Sequence, residues 1–160
     1  MWLFILCHMA VLEASDVSHA RRIYALLGGK RAARLSRPSM LALHDAAEHR
    51  LGVGVVDALE QNLGATREVL LRTISLSART LARRRVEGTL SPEESDRALR
   101  LARVAALAED VLGGHEEALD WLSQPNRSLG GRTPIELLRT DAGASMVADV
   151  LGRLEHGVFG

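Results

Sequence analysis

The sequence has very little of what disulfide-bonded, metal-binding and aromatic-rich proteins depend on. Cys7 is its single cysteine, which excludes a disulfide within the chain and any cysteine pair with metal-ligand spacing. Aromatic residues make up only 3% of the 160 residues, so the core must be packed from aliphatic side chains. Because the single cysteine cannot form a disulfide within the chain, we expect an intracellular protein, located in the cytoplasm.

A long apolar run is also missing. The first seven residues, Met1 to Cys7, are apolar, but they lack the basic start of a signal peptide and are far too short to span a bilayer. We therefore expect no membrane partner. Two interpretations of this segment stay open: it precedes a true start at Met9, or it is a strand or helix end buried at a dimer interface.

The patterns of common catalytic and cofactor sites are absent as well. His115 is not followed four residues later by the second histidine of a zinc protease, because Leu119 occupies that position. The glycine pairs at 28–29, 113–114 and 130–131 are not followed by the Lys-Ser or Lys-Thr of a phosphate loop. We expect no enzyme, no cofactor and no metal site.

Leucine, alanine and arginine dominate the sequence, and 47% of the residues are hydrophobic. These residue types favour helix over strand, so the composition predicts an all-α fold. The formal net charge of zero hides an asymmetry. Residues 1–108 carry 16 basic against 11 acidic residues (+5), and residues 109–160 carry 4 against 9 (−5). This division suggests two surfaces with two different partners.

Residues 66–85 have the size and pattern of a helix-turn-helix. Thr66 can cap the first helix and Ser77 the second, while Leu76 fills the turn between them. Leu71 and Ser75 depart from the common pattern, which has a small residue and a glycine at these two positions.

The second helix of this unit would carry a basic face, with Arg79 and Arg83 one turn apart. Such a helix can enter the major groove, with its first residues at base edges and its outer arginines at phosphates. The candidate DNA-binding residues are Arg67, Ser77, Arg79, Thr80, Arg83 and Arg84. The alternative is a charged face that only meets solvent.

A long helix is predicted after this unit. Ser91 can be its cap, Pro92 its first residue and Glu94 the third-position partner of a capping box. A stripe of alanine and leucine runs at helical spacing from Ala98 to Leu112, which suits a central helix joining the two halves.

The C-terminal region begins with a short amphipathic helix over Glu116–Leu122, which Gln124-Pro125-Asn126 ends. Thr133, Pro134 and Glu136 predict another capping box. The last helix is expected over about Asp141–Glu155, with Thr140 as its cap and Gly157 as its stop.

Several blocks of this sequence resemble one family in the family's own order. They are Thr80–Arg84, Leu90–Ser95, Trp121-Leu122, Pro125-Asn126, Leu129–Pro134, Glu136–Leu138, Thr140, Gly143, Val147, Leu151 and Gly157–Phe159. The C-terminal blocks resemble the toxin-binding domain of the MbcA/ParS/Xre antitoxins, which are the partners of RES-domain toxins. The resemblance covers about residues 64–160.

This resemblance implies a function and a domain plan. The chain would be an antitoxin that occludes the active site of a NAD-consuming RES-domain toxin and autoregulates its operon by binding operator DNA. It would act as a homodimer, in a higher-order complex with the toxin. The implied domains are an extension over 1–39, an Xre/Cro-like helix-turn-helix region over 40–107 and a toxin-binding domain over 108–160.

The candidate toxin-binding residues follow from the same resemblance. They are Leu129, Gly130, Arg132, Arg153, His156, Gly157, Val158, Phe159 and Gly160. Three of these positions have simpler interpretations: Gly130 serves only the turn before Thr133, Arg132 caps a carbonyl, and Phe159 tucks into the core. Two other functions stay open, a stand-alone repressor without a toxin and a pure inhibitor that no longer binds DNA.

The N-terminal extension lies outside the resemblance. Val11–Leu27 is predicted to form a helix that Gly28-Gly29 ends. Lys30–Pro38 is basic, and no acidic residue occurs between Val17 and His44, so this run predicts either a phosphate-contacting or a solvated arm. Helices are then expected over Ser39–Arg50 and Val55–Leu63.

Overall fold

The computed structural model describes residues 17–33 and 38–157, and across these ranges the fold is all-α. Its only β-type pairings there are isolated antiparallel bridges, one between Gly52 and Thr89 and one between Asn126 and Arg132. The predicted fold class is therefore confirmed. In the same ranges no helix is long and apolar enough to cross a membrane.

The helices are short except for one. The first half contains α1 (17–26), α2 (Gly29–Ala33), α3 (Met40–Glu48), α4 (Gly54–Leu63), α5 (Arg67–Thr73) and α6 (Ala78–Glu87). The second half contains α7 (Pro92–Leu112), α8 (His115–Ser123), a 3-10 turn (Arg127–Leu129), α9 (Pro134–Leu137) and α10 (Asp141–Glu155).

Helix α7 is the centre of the molecule. Its start is the predicted capping box, in which Ser91 and Glu94 each accept a hydrogen bond from the other residue's backbone N–H. Its alanine-rich stripe is buried, which lets neighbouring helices approach closely. It packs against α3, α4, α8 and α10, so it joins the two halves of the chain as predicted.

The helix-turn-helix is formed by α5 and α6, with the predicted caps. Thr66 accepts from the backbone N–H of Val69 at 3.4 Å, and Ser77 accepts from that of Thr80 at 3.0 Å. In the turn, Ser75 adopts a left-handed φ of 54°. This conformation is the one that glycine adopts without strain, and here a serine occupies it.

The predicted capping box at Thr133 is wrong. Pro134 does begin α9, but Thr133 makes no capping hydrogen bond, and its hydroxyl oxygen is buried without a partner. Helix α9 is only four residues long, because the chain turns at once into α10. The cap of α10 is as predicted: Thr140 accepts from the backbone N–H of Gly143 at 3.1 Å.

Helix α1 is anchored to the body of the molecule. His19 and Arg22 both pair with Asp110 of α7, at 2.8 and 2.7 Å. The Asn62 amide donates to the carbonyl of Leu26 at 2.9 Å. One of the basic residues of the extension is therefore used inside the fold. The sequence predicts that Gly28 and Gly29 end the first helix. Gly28 lies in the turn after α1, but Gly29 is already the first residue of α2. The predicted start of this helix at Val11 and the Met1–Cys7 segment lie outside the described residues.

Candidate functional surfaces

Helix α6 presents one continuous exposed face. Its members are spaced by three or four residues and are Arg79, Ala82, Arg83 and Val86. Val86 is 90% exposed, which is unusual for a large aliphatic side chain. Arg79 has no ion-pair partner among the described residues, and Arg83 approaches Glu87 only at 3.5 Å. This face offers two arginines and two apolar side chains to a partner.

The hydroxyls of Ser77 and Thr80 lie at the start of the same helix. They are 2.8 Å apart, and Ser77 also caps the helix. Both predicted residues are therefore next to the exposed arginines, and their hydroxyls hold the helix start in place.

Arg84 does not face outward, contrary to its prediction as a DNA contact. Its side chain is 11% exposed and donates two hydrogen bonds to Glu94 of α7, at 2.7 and 3.2 Å. A third bond goes to Glu87 at 2.6 Å. The bonds to Glu94 and then Glu87 raise the pKa of the guanidinium further above its usual value. Arg84 holds α6 on α7.

Arg67 is the first residue of α5, and acidic residues of α4 surround it. Its guanidinium donates to Asp57 at 3.0 Å and to Glu60 at 2.9 Å, and Arg85 also donates to Asp57 at 2.8 Å. The bond from Arg67 lowers the pKa of Glu60. A phosphate would have to replace these carboxylates to bind Arg67.

Of the candidates near the C-terminus, Arg153 lies in the last turn of α10, and His156 and Gly157 follow the helix directly. Arg153, His156 and Gly157 are exposed. Arg153 and His156 line a shallow depression of about 420 Å³ together with Asp149 and Gly152. The predicted toxin contacts Val158, Phe159 and Gly160 lie outside the described residues.

Leu129 was predicted to face a toxin, but its side chain is buried with 3% exposure. It ends the 3-10 turn and packs into the core. Gly130 and Gly131 follow with φ of 67° and 76°, so both glycines are needed for the turn itself. Arg132 is exposed and caps no carbonyl in the described part of the chain.

Two adjoining grooves follow the line where α5 meets α8 and α9. The larger, of about 450 Å³, is lined by apolar residues such as Leu119 and Ile135 and by Thr133. The smaller, of about 310 Å³, is lined by Val69, Arg72, Thr73, Arg132, Glu136, Leu137 and Arg139. Neither groove could be predicted from the sequence, because each is lined by segments that lie far apart along the chain.

No cluster of three metal-binding side chains occurs in the described ranges. His115, the first residue of α8, pairs with Glu109 at 2.6 Å and so helps to fix the turn between α7 and α8. The described grooves contain no nucleophile and base within hydrogen-bonding distance of each other.

Two family models match the chain in the order of its structural parts. Residues 42–103 match the antitoxin Xre-like helix-turn-helix domain, and residues 107–157 match the antitoxin Xre/MbcA/ParS C-terminal toxin-binding domain. The first covers α3–α6 and half of α7, and the second covers α8–α10.

Curated relatives and a solved structure agree with these matches. "Antitoxin Xre" of Yersinia enterocolitica is 40% identical over 119 residues, which are 73% of this chain and 80% of the relative. "Antitoxin Xre" of Photorhabdus laumondii is 34% identical over 110 residues, 68% and 74% of the two chains. A chain of the Mycobacterium tuberculosis MbcT–MbcA toxin–antitoxin complex matches with a TM-score of 0.51 and 30% identity, covering 68% of this chain and 96% of its own.

The fold and these matches define a helix-turn-helix protein with a C-terminal toxin-binding domain, the antitoxin of a toxin–antitoxin system. More particularly, the chain belongs to the Xre/MbcA/ParS family of antitoxins.

Proposed function

We propose that this antitoxin binds a cognate RES-domain, NAD-consuming toxin and sterically occludes its active site. The main support for this proposal is the match of residues 107–157 to a toxin-binding domain. Its four arginines, at 127, 132, 139 and 153, form no ion pair with any described residue, so their charges are available to a partner.

The proposed toxin-facing surface comprises the turn after the 3-10 segment, the end of α10 and the tail. It consists of Gly130, Arg132, Arg153, His156, Gly157, Val158, Phe159 and Gly160. Leu129 is left out of this surface because it is buried, and it supports the turn from beneath. Inhibition is steric and needs no reacting group on the antitoxin.

We also propose that the helix-turn-helix binds the operator of the antitoxin's own operon. The exposed Arg79 and Arg83 on α6 support this, because such a face can hydrogen-bond guanine edges and phosphates. Arg67 contributes only if phosphate displaces Asp57 and Glu60.

We assign the domains as 1–39, 40–107 and 108–160, and the protein as a cytoplasmic homodimer that forms larger complexes with its toxin. The ion pairs of His19 and Arg22 with Asp110 favour the view that the extension is part of the body rather than a free arm.

A stand-alone repressor is the second candidate function. The observation that favours it is the exposed α6 face, which would serve DNA binding without any toxin. In that case the C-terminal domain would only dimerise, and the tail Val158–Gly160 would be dispensable.

A growth assay with the adjacent reading frame tests the proposal. The neighbour is expressed alone, with the full antitoxin, and with an antitoxin lacking Val158–Gly160. We expect toxicity alone, rescue by the full chain and loss of rescue on truncation. A neighbour that is harmless, or stays toxic beside soluble full-length antitoxin, would favour the repressor. Rescue by the truncated chain would remove the tail from the inhibited site.

A further inference from the structure

The smaller groove between α5 and α9 is basic, although the domain that supplies most of it is acidic. Three of its seven lining residues are arginines, and Glu136 is the only acid among them. Residues 109–160 as a whole carry 4 basic and 9 acidic residues, which is −5. Two of these four arginines, Arg132 and Arg139, therefore line one groove, against the overall charge of their domain.

The charges of this groove are only partly satisfied within the chain. Arg72, from α5, pairs with Glu68 on its own helix at 2.7 Å. Arg132 and Arg139 form no ion pair and no side-chain hydrogen bond with any described residue. By contrast, the backbone of Arg132 is held in place, because its carbonyl accepts from the N–H of Asn126 at 3.0 Å. The groove therefore presents two guanidinium groups that have no ion-pair partner among the described residues.

We infer that this groove binds an acidic segment of the cognate toxin, whose carboxylates pair with Arg132 and Arg139. The inference rests on the proposed function for the identity of the partner. Guanidinium groups hydrogen-bond carboxylates through two parallel N–H groups, which gives both affinity and orientation. The favoured occupant is the toxin rather than DNA, because both free arginines lie in the domain matched as toxin-binding.

The larger groove continues the same binding path. The two grooves share Val69 and Glu136. The larger one is lined by Thr133, whose hydroxyl is buried without a partner, a state that costs free energy in the unbound protein. A toxin segment that leaves the basic groove along this path would pass over apolar side chains such as Leu119 and Ile135.

The groove also gives the helix-turn-helix a part in toxin binding. Arg72, Val69 and Thr73 belong to α5, and the Thr73 hydroxyl donates to the carbonyl of Ile135 beneath α9 at 3.4 Å. A toxin segment seated here touches both domains at once, so its binding acts on α5, the first helix of the helix-turn-helix.

The test is a titration of full-length antitoxin variants with the purified product of the adjacent toxin gene. R132E and R139E should each weaken binding by roughly tenfold or more, since each loses a charge-assisted bond and adds a repulsion. E136Q should tighten binding by about threefold, because it removes the groove's only negative charge. T133V should leave the free chain at least as stable, because it removes a buried hydroxyl that has no partner. The matched control is R127E, an exposed arginine of the same domain that does not line the groove.

The outcomes distinguish a failure of the inference from a failure of the proposed function. If the unchanged antitoxin does not bind this toxin, the proposed function and the inference both fail. If it binds, but R132E and R139E bind equally well, or R127E loses as much as they do, only the inference fails. Loss of DNA affinity with unchanged toxin affinity would mean that nucleic acid occupies the groove and would overturn the assignment. Thermal unfolding of each variant excludes misfolding, and E136Q tests the groove by a gain of affinity that misfolding cannot produce.

Discussion

The arginines of the helix-turn-helix and those of the toxin-binding domain are used in opposite ways. On α5 and α6, Arg67, Arg72, Arg83, Arg84 and Arg85 all form ion pairs within the fold, and Arg79 alone does not. In residues 109–157, no arginine pairs with a described residue. Most arginines of the helix-turn-helix therefore form ion pairs within the fold, while the few arginines of the acidic half remain unpaired among the described residues.

This contrast shows why net charge is a poor guide to binding surfaces. The +5 of residues 1–108 suggests a broad basic surface for nucleic acid. In the structure, only Arg79 and the weakly paired Arg83 are available on α6. On the helix-turn-helix, fewer arginines remain free for partners than the sequence indicates, and in the second half two of the four free arginines line one groove.

The largest expected effect comes from breaking the internal use of Arg84. In R84A, Glu94 keeps only its capping bond from Ser91 and becomes a poorly compensated buried carboxylate. Breaking a buried ion pair is strongly destabilising, and we expect the thermal midpoint to fall by about 10 °C. R83A is the matched control, since its exposed pair should change the midpoint by about 1 °C. Equal effects of the two changes would show that Arg84 has no structural role.

The second-largest effect is expected from a substitution that destabilises the toxin-binding domain. A Cβ on Gly143 would lie 2.8 Å from the backbone carbon of Leu137, and even closer to its carbonyl oxygen. Because backbone cannot yield easily, we expect G143A to lower the free energy of unfolding by about 2–3 kcal/mol. G152A, on the same helix with open space around its Cβ position, should instead raise it by about 0.5–1 kcal/mol. Urea unfolding of both variants measures these changes.

A G143A protein as stable as the unchanged chain would contradict the close packing of α9 on α10. The variant also separates the two domains functionally. If each domain keeps its own partner, G143A should lose toxin binding more than DNA binding.

The successes of the sequence analysis share a physical cause. Thr66, Ser77, Ser91 and Thr140 all cap helices as predicted, because a cap depends on residues within three positions along the chain. Helix type and the central place of α7 follow from periodicity, which is also local. The sequence therefore predicts the fold class and most of the helices, but not α2.

The failures depend on contacts that local sequence does not contain. Arg83 and Arg84 are adjacent and chemically identical, yet only Arg84 meets Glu94 on the next helix. Thr133 has the pattern of a cap, but packing around its hydroxyl removes every donor. Leu129 is buried by the 3-10 turn that precedes the glycine pair. Candidate site residues are thus predicted by type, and their exposure is decided by tertiary packing.

A third pair of substitutions tests whether the exposed arginines of α6 contact operator DNA. R79A and R83A should each weaken operator binding by about tenfold, since a bidentate base contact contributes about 1–3 kcal/mol. Added salt should reduce binding of the unchanged chain more steeply than that of the double variant. R103A, an exposed arginine of α7 outside the helix-turn-helix, is the control. Unchanged binding by the double variant would show that α6 is not the recognition helix, whereas a lack of operator binding by the unchanged chain would support a pure inhibitor.

The smallest expected effect concerns acid. The bond from Arg67 holds the pKa of Glu60 below its usual value near 4.5, and the bond from Arg84 does the same for Glu87. A carboxyl with a lowered pKa in the folded state stabilises the fold above pH 4.5, and this contribution disappears as the pH falls through the lowered pKa. E60Q should therefore have a lower thermal midpoint than the unchanged chain at neutral pH, and the difference should shrink toward about pH 3. E116Q is the control on the toxin-binding side, because Glu116 is exposed and has no ion-pair partner among the described residues. A gap for E60Q that stays constant or widens on acidification would mean that the ionised Glu60 does not stabilise the fold through Arg67, and this pair would then be a feature of geometry alone.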